Sequence, residues 1–264
     1  MKFKDKVVWI TGASGGIGAA LALAFAREGA RLVLHDQSPE KLEGIRKSLE
    51  ESATEYLLLA FDLTAKNDYG SFVRQVTERF GRIDVLINNA GISQRALAHE
   101  TTMEVDRKIL EINYFSATEL TRQVLPVMLS SGGGSVAATS SISGLFGFPL
   151  RSSYAASKHA VSGYFETLGL ELRSRGIYVT IAYPGRIRTD ISLHSLQKDG
   201  RSWNKMDRAQ QRGLSPEACA RKYMKAIYRK KRTVYIGNFE LLMAYIKRYC
   251  PPLFYLLASR VRPT

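Results

Sequence analysis

Cysteine is scarce in this chain of 264 residues: Cys219 and Cys250 are the only two, too few to staple a small secreted scaffold. No stretch approaches the roughly 18 unbroken apolar residues that a membrane span requires. The basic start and short apolar run of the N-terminus meet glycine-rich sequence at Gly12, too early for a secretory signal. Low-complexity tracts, short-period repeats and linkers are missing as well, and no metal site is expected. With 45% hydrophobic and 23% charged residues the composition is globular, which excludes the disordered and collagen-like classes. These absences make a cytoplasmic location the default. They also point to one domain over residues 1–264, near the size at which single cores stop growing.

Acidic residues are in short supply: 24 Asp and Glu stand against 38 Lys and Arg, a net charge of +14. From Arg201 onward there are 15 basic and 3 acidic residues, so about +12 of the surplus lies in the last quarter. Such a patch suits nucleic acid, anionic lipid or plain solvent. No groove-reading motif or aromatic RNA platform accompanies it, so no nucleic-acid partner is expected.

What is present is alternation. Short buried-strand runs at 7–11, 31–35, 56–60, 83–87, 135–140, 178–183 and 233–237 are separated by helical patterns at 16–28, from Ser38-Pro39-Glu40, at 65–80, 102–129 and 153–174, and from Ser215-Pro216-Glu217. Strands alternating with crossover-length helices predict an α/β fold: one doubly wound parallel sheet of the Rossmann type, helices on both faces. Residues 184–216 break the pattern, and a loop that long has a task such as covering a site.

Several residues could carry chemistry. Thr11-Gly12-Ala13-Ser14-Gly15-Gly16-Ile17-Gly18 joins the first strand to the first helix, where glycines let a backbone approach a phosphate and the helix N-terminus attracts it. Asp36, 24 residues past Gly12, ends the second strand, where a carboxylate accepts ribose hydroxyls and repels a 2′-phosphate. Tyr154 and Lys158 stack at i and i+4 on one helix face, and an ammonium beside a phenol favours the phenolate. Ser141 follows the fifth strand, and Asn88, Asn89, Ala90 and Gly91 close the fourth. Asn113 sits mid-helix, where asparagine is a poor former and a polar task becomes more frequent.

Taken together, Thr11-Gly12-x-x-x-Gly16-x-Gly18, Asn88-Asn89-Ala90-Gly91, Asn113, Ser141, Tyr154-x-x-x-Lys158 and Pro184-Gly185 resemble the short-chain dehydrogenase/reductase family in order and spacing. The resemblance covers essentially the whole chain. Asn113-Tyr114-Phe115, the segment from Tyr154 to Ala160 and the leucine-rich tail are most similar to a membrane-anchored animal branch and its bacterial relatives, although this chain starts without their hydrophobic anchor. The resemblance implies Tyr154 as acid/base, Lys158 lowering its pKa and holding the nicotinamide ribose, Ser141 positioning the substrate oxygen, and Asn113 supporting a proton relay. It places Gly12, Ser14, Gly15, Gly16, Ile17 and Gly18 at the pyrophosphate, and Asp62 and Leu63 at the adenine. Asn89 with Ala90 and Gly91 falls at the adjoining ribose, and Pro184, Gly185, Ile187 and Thr189 at the nicotinamide.

The implied function is hydride transfer between a nicotinamide cofactor and a secondary alcohol or ketone, with a catalytically idle nucleotide sensor as the rival. Asp36 predicts NAD(H) over NADP(H), with Arg31, Arg95 or another nearby cation able to reverse the choice. The substrate is a small molecule, and in this family its specificity lies in the loop at 186–214 and after Ser141. Leu145, Phe146, Phe148, Leu193, Trp203 and Met206 point to a lipophilic one. The helices at 102–129 and 153–174 carry the family's paired-helix interface, predicting a homodimer or homotetramer. The apolar tail at 239–262, interrupted by Pro251-Pro252 and dotted with Lys247, Arg248, Arg260 and Arg262, has two readings. It either meets anionic membrane peripherally or folds back over the substrate loop or a neighbouring subunit.

Overall fold

A computed structural model describes residues 1–50 and 54–260; Val261 and Arg262, at the end of the expected tail, lie outside the described residues. The chain runs β1 (Val7–Thr11), α1 (Gly16–Arg27), β2 (Arg31–Asp36), α2 (Pro39–Leu49), β3 (Tyr56–Ala60), α3 (Tyr69–Phe80), β4 (Val85–Asn88), α4 (Met103–Leu110), α5 (Ser116–Ser130), β5 (Gly134–Thr139), α6 (Ser152–Glu171), β6 (Ile177–Pro184), α7 (Arg208–Gln211), α8 (Pro216–Tyr228), β7 (Thr233–Ile236), α9 (Leu242–Tyr249) and α10 (Pro251–Ala258). The seven strands form one sheet in the order β3-β2-β1-β4-β5-β6-β7, every pair parallel. This is the doubly wound arrangement, whose order reverses between β1 and β4.

Strand periodicity divides the core in two. Val8 and Ile10 of β1 join Leu21 and Phe25 of α1, Leu42 and Ile45 of α2 and Tyr223 and Ile227 of α8 on one face. Val7 and Trp9, their alternate neighbours, join Val73 and Val76 of α3, Val124 and Met128 of α5 and Phe165 and Leu168 of α6 on the other. Both faces of β1 are therefore dry, which is why its five residues are all apolar or buried.

Helix starts follow capping chemistry. Ser38 accepts from the Lys41 N–H and Ser215 from the Ala218 N–H, each at 3.2 Å and each with proline next. Some boundaries differ from the sequence expectation. The helix expected from 65 opens at Tyr69, because Asp68 caps it by accepting from the Ser71 N–H at 3.0 Å. The strand expected at 83–87 is Val85–Asn88, and α6 gives way after Glu171 to a 3-10 turn at Arg173–Arg175. The helix expected at 102–129 is divided by a π turn at Glu111–Phe115.

The loop between β6 and α8 is not featureless: it holds a 3-10 turn at Asp190–Ser192 and the short α7, and Gln94 bridges Leu196. In the tail, Pro251 and Pro252 end α9 and occupy the first turn of α10. α10 lays Phe254 and Ala258 against Phe146. Among the described residues no helix is long and apolar enough to cross a membrane.

Candidate active site

The carboxyl ends of β1, β2, β4, β5 and β6 bring most of the sequence-predicted residues to one edge. The loop after β1 enters α1 through Gly15, an N-cap with no side-chain cap, and the first turn carries no acid. Its N–H groups and dipole thus remain available to an anion. Gly16 has φ +52, and a Cβ there would stand 2.9 Å from Cγ2 of Thr189. Glycine is what lets Thr189 close over this loop. Ile17, in the first turn of α1, packs partly buried against the core, and Gly18 meets the Gly12 carbonyl.

Asp36 accepts from the Ser14 hydroxyl at 2.5 Å through one oxygen and from the Ser38 N–H at 3.2 Å through the other. The acid is thereby fixed beside the phosphate loop. Asp62 and Leu63 follow β3 on the same edge; Asp62 accepts from the N–H and hydroxyl of Thr64, while Leu63 is buried. Arg31 stands at the opposite end of β2, paired with Glu55 at 3.4 Å, and Arg95 pairs with Asp207. Neither cation named from the sequence reaches Asp36, because strand direction separates the first from it and an ion pair holds the second.

Asn89 braces the loop, donating to the Thr11 carbonyl at 3.1 Å and the Gly12 carbonyl at 3.2 Å, and the N–H groups of Asn89 and Ala90 both reach the Thr11 hydroxyl at 3.0 Å. Thr11 is a bracing residue that sequence reasoning passed over; its place in the glycine motif was the available signal. Gly91 marks the centre of the site: a Cβ on it would lie 3.0 Å from Oδ1 of Asn113 and 3.2 Å from Nζ of Lys158. Asn113 pairs with both polar groups of the Ile92 backbone, at 2.8 and 3.0 Å, and donates to the Ser157 hydroxyl at 2.9 Å. The π turn aims it there. Such turns concentrate at functional positions because the extra residue re-aims one side chain.

Lys158 is buried and donates to the Thr139 carbonyl at 2.9 Å. Burial pulls its pKa down to about 8. Thr139 contributes through its backbone, so no side-chain pattern could have disclosed it. Tyr154, one turn earlier on α6 and 7% exposed, presents its ring 5.8 Å from the ammonium. Ser141 accepts from the Ser143 N–H at 3.2 Å and donates to the Pro184 carbonyl at 3.4 Å, tying the end of β5 to that of β6 rather than bonding to Tyr154. Past Pro184, the Gly185 N–H reaches the Ile236 carbonyl, Ile187 is buried, and Thr189 accepts from Gln210 at 3.1 Å. Glu240, from the tail, accepts from the Arg186 N–H at 2.8 Å and so pins this turn; it too was missed.

The expected apolar lining is divided. Phe146 and Phe148 pack with Phe254, their rings 5.1 Å (Phe146–Phe254) and 6.3 Å (Phe146–Phe148) apart, and Leu145 borders the same cluster. Trp203 instead lies under Lys205, and Met206 accepts from the Ser192 hydroxyl. Leu193 is part-buried in the loop. A phenol, a buried ammonium and a hydroxyl thus share an edge with an uncapped helix N-terminus, an arrangement able to hold a phosphate and exchange a proton.

A family model described as short chain dehydrogenase matches residues 6–200. Dehydrogenase/reductase SDR family protein 7-like of Drosophila melanogaster is 37% identical over 97% of this chain and 80% of its own length. Dehydrogenase/reductase SDR family member 7B of Bos taurus is 38% identical over 98% and 82%. Among solved structures, a short chain dehydrogenase/reductase from Burkholderia phymatum in complex with NAD superposes with a TM-score of 0.84 at 24% identity, covering 100% of this chain and 98% of that one. Levodione reductase gives 0.77 at 27% identity, covering 90% and 98%. On sequence and fold alike, the chain belongs to the short-chain dehydrogenase/reductase family of NAD(P)-dependent oxidoreductases.

Proposed function

We propose that this enzyme interconverts a secondary alcohol and a ketone of lipophilic character, with Tyr154 as the proton-exchanging acid/base. The nicotinamide, when bound, supplies or accepts the hydride. The protein's part is to bind, orient and move the proton. Gly12, Ser14, Gly15, Gly16, Ile17 and Gly18 hold the pyrophosphate on α1, Asp36 takes the adenosine ribose hydroxyls, and Asp62 and Leu63 flank the adenine. Asn89, Ala90 and Gly91 border the ribose next to it, while Pro184, Gly185, Ile187 and Thr189 border the nicotinamide. Lys158 sets positive charge near the Tyr154 ring and reaches the nicotinamide ribose. The Ser141 hydroxyl exchanges its long bond to Pro184 for the substrate oxygen, and Asn113 supports the relay that returns the proton to solvent.

The observation that carries this reading is the meeting of Asn113 and Lys158 over Gly91, with Tyr154 one turn from Lys158 on the same helix. Tyr154→Phe keeps the ring and removes the proton, so turnover falls by ~10^2 or more while cofactor affinity is retained. Steady-state rates and a cofactor titration on the same preparation check it, and unchanged turnover rejects the assignment.

We infer further that NAD(H) is preferred, that residues 186–214 cover the substrate, and that the enzyme works as a closed oligomer. Supporting the last are Phe115 and Leu170, 50% and 62% exposed on the helices of the family's paired interface. Peripheral contact with anionic membrane is supported by the outward face of the tail, where Phe239 and Tyr249 are 81% and 76% exposed.

A further inference from the structure

The charges beside Tyr154 narrow the substrate class, an inference that rests on the oxidoreductase reading above. Arg151 is the N-cap residue of α6, three positions before Tyr154. Arg95 follows β4, and the bridge between Ala96 and Arg151 sets the two segments side by side. Both guanidiniums lie within electrostatic reach of the Tyr154 hydroxyl. They share a single carboxylate: Oδ2 of Asp207 accepts from Arg95 at 3.3 Å and from Arg151 at 3.4 Å. The other oxygen of Asp207 is engaged at the start of α7, accepting from the N–H groups of Ala209 and Gln210.

A buried Arg95 and a part-buried Arg151 against one anion leave an excess positive charge, and the two partners are not equally satisfied. Arg95 also donates to the Gln94 carbonyl at 2.8 Å and the Ser93 hydroxyl at 3.3 Å. Among the described residues Arg151 has its Nε buried without a partner, and Arg186 adds a like charge toward it. Burial, then the neighbouring Arg151, pushes Arg95 down to about 10, and burial pushes Arg151 down as well. A charge taken from water is costly unless it is paired and hydrogen-bonded, so Arg151, under-satisfied but still 22% exposed, is arranged for an acceptor that arrives with the ligand. Forked donors of this type match carboxylate and phosphate oxygens better than neutral carbonyls, because the acceptor pair is charged and bidentate.

We propose that Arg95 and Arg151 form a subsite for an anionic group, a carboxylate or a phosphate, carried by the same molecule whose carbonyl or alcohol faces Tyr154. The substrate is then amphiphilic: charged close to the reacting carbon and apolar beyond it.

Matched pairs test this. Levulinate against methyl levulinate probes a carboxylate, and hydroxyacetone phosphate against methoxyacetone probes a phosphate. At least one anionic member is expected to exceed its neutral partner in kcat/KM by roughly tenfold or more, as charge-assisted hydrogen bonds allow. The pair that shows the preference identifies the group. Arg151→Gln should reduce that preference to less than about threefold. Calorimetric titration of levulinate and of inorganic phosphate into protein holding NAD gives a second readout: one anion binds, and Arg151→Gln weakens it at least about tenfold. Asp207→Asn, which removes the competing carboxylate, strengthens the same binding and serves if Arg151→Gln does not fold.

Equal kcat/KM within both pairs overturns the subsite while leaving the oxidoreductase reading intact. Absence of turnover on all four compounds counts against that reading, and the calorimetry still decides the subsite. Anion binding that Arg151→Gln abolishes upholds it, and no anion binding, or binding indifferent to both variants, overturns it.

Discussion

Lys158 carries the clearest conflict between stability and function at the scale of single residues. Its ammonium is buried with one carbonyl as partner among the described residues, and burial lowers its pKa from 10.5 to about 8. Below pH 8 both folded and unfolded chains hold the proton, so the folded state bears the full cost of a buried charge. Between pH 8 and 10.5 the unfolded chain binds more protons than the folded one, and stability rises with pH. Lys158→Met should therefore stabilise the cofactor-free protein at pH 7, by up to ~3 kcal/mol, while abolishing turnover. The gain fades as pH climbs toward 10.5. Thermal melts of both proteins from pH 6 to 10 check it; a variant less stable than wild type at pH 7 would contradict the argument. Asp36 makes a second residue-scale case. It is held by Ser14 and Ser38, and neither Arg31 nor Arg95 reaches it, so a 2′-phosphate would meet carboxylate without compensation from those two cations. NADH should bind at least about tenfold tighter than NADPH, and Asp36→Ala should narrow that ratio; fluorescence titration of both cofactors decides.

The tail shows what an element contributes beyond its own residues. Phe254 of α10 fills a small cluster with Phe146, and Glu240 holds the turn at Arg186. Phe254→Ala should cost about 3 kcal/mol locally, because a large buried ring is lost from a cluster with few members. Amide exchange in α9 and α10 should quicken while β1 and β4 keep their protection, and the KM for an apolar ketone should rise. Uniformly faster exchange would mean that the tail is part of the main core. Elements of this kind also mark how far the sequence could be read. The strands and their parallel pairing were legible because burial on two faces leaves apolar runs such as Val7–Thr11, and helix starts because Ser38-Pro39 and Ser215-Pro216 are local signals. The loop, Asn113, Tyr154 and Lys158 were legible as a spaced pattern. The π turn at Glu111–Phe115 was not, since it differs from an α-helix by one step of hydrogen-bond register and leaves the apolar pattern nearly intact. Nor was the Arg95–Asp207 pair, whose members lie 112 residues apart. Periodicity gave the tail an apolar face but not its partner, so the packing of that face on Phe146, with Glu240 meeting the 186–214 loop at Arg186, had to come from the structure.

Over the whole molecule, charge and exposed apolar surface fall on the same stretch of chain. Arg221, Lys222, Lys225, Arg229, Lys230, Lys231 and Arg232 are all exposed on α8 and the turn that follows. The tail then buries Phe254 and Ala258 while presenting Phe239, Tyr245, Tyr249, Leu253, Tyr255 and Leu256 to solvent. Inward packing accounts for one face of α9 and α10 only, and aromatic side chains beside lysine and arginine are the composition of an interfacial segment. Each basic residue near an anionic surface contributes ~1 kcal/mol, an attraction that salt screens within about 8–10 Å. On the proposed membrane contact, the surplus of about +12 from Arg201 onward is expected to hold the protein on anionic lipid at low salt and to release it at high salt. Co-sedimentation with vesicles containing phosphatidylserine, and with pure phosphatidylcholine vesicles, measures this across a salt series. Binding is expected only to the anionic vesicles, falling steeply with salt, and weakened by a Phe239→Ser/Tyr249→Ser variant at unchanged charge. Equal binding to both vesicle types would assign the tail an apolar attachment without electrostatics, and no binding to anionic vesicles at low salt would leave its outer face to a protein partner.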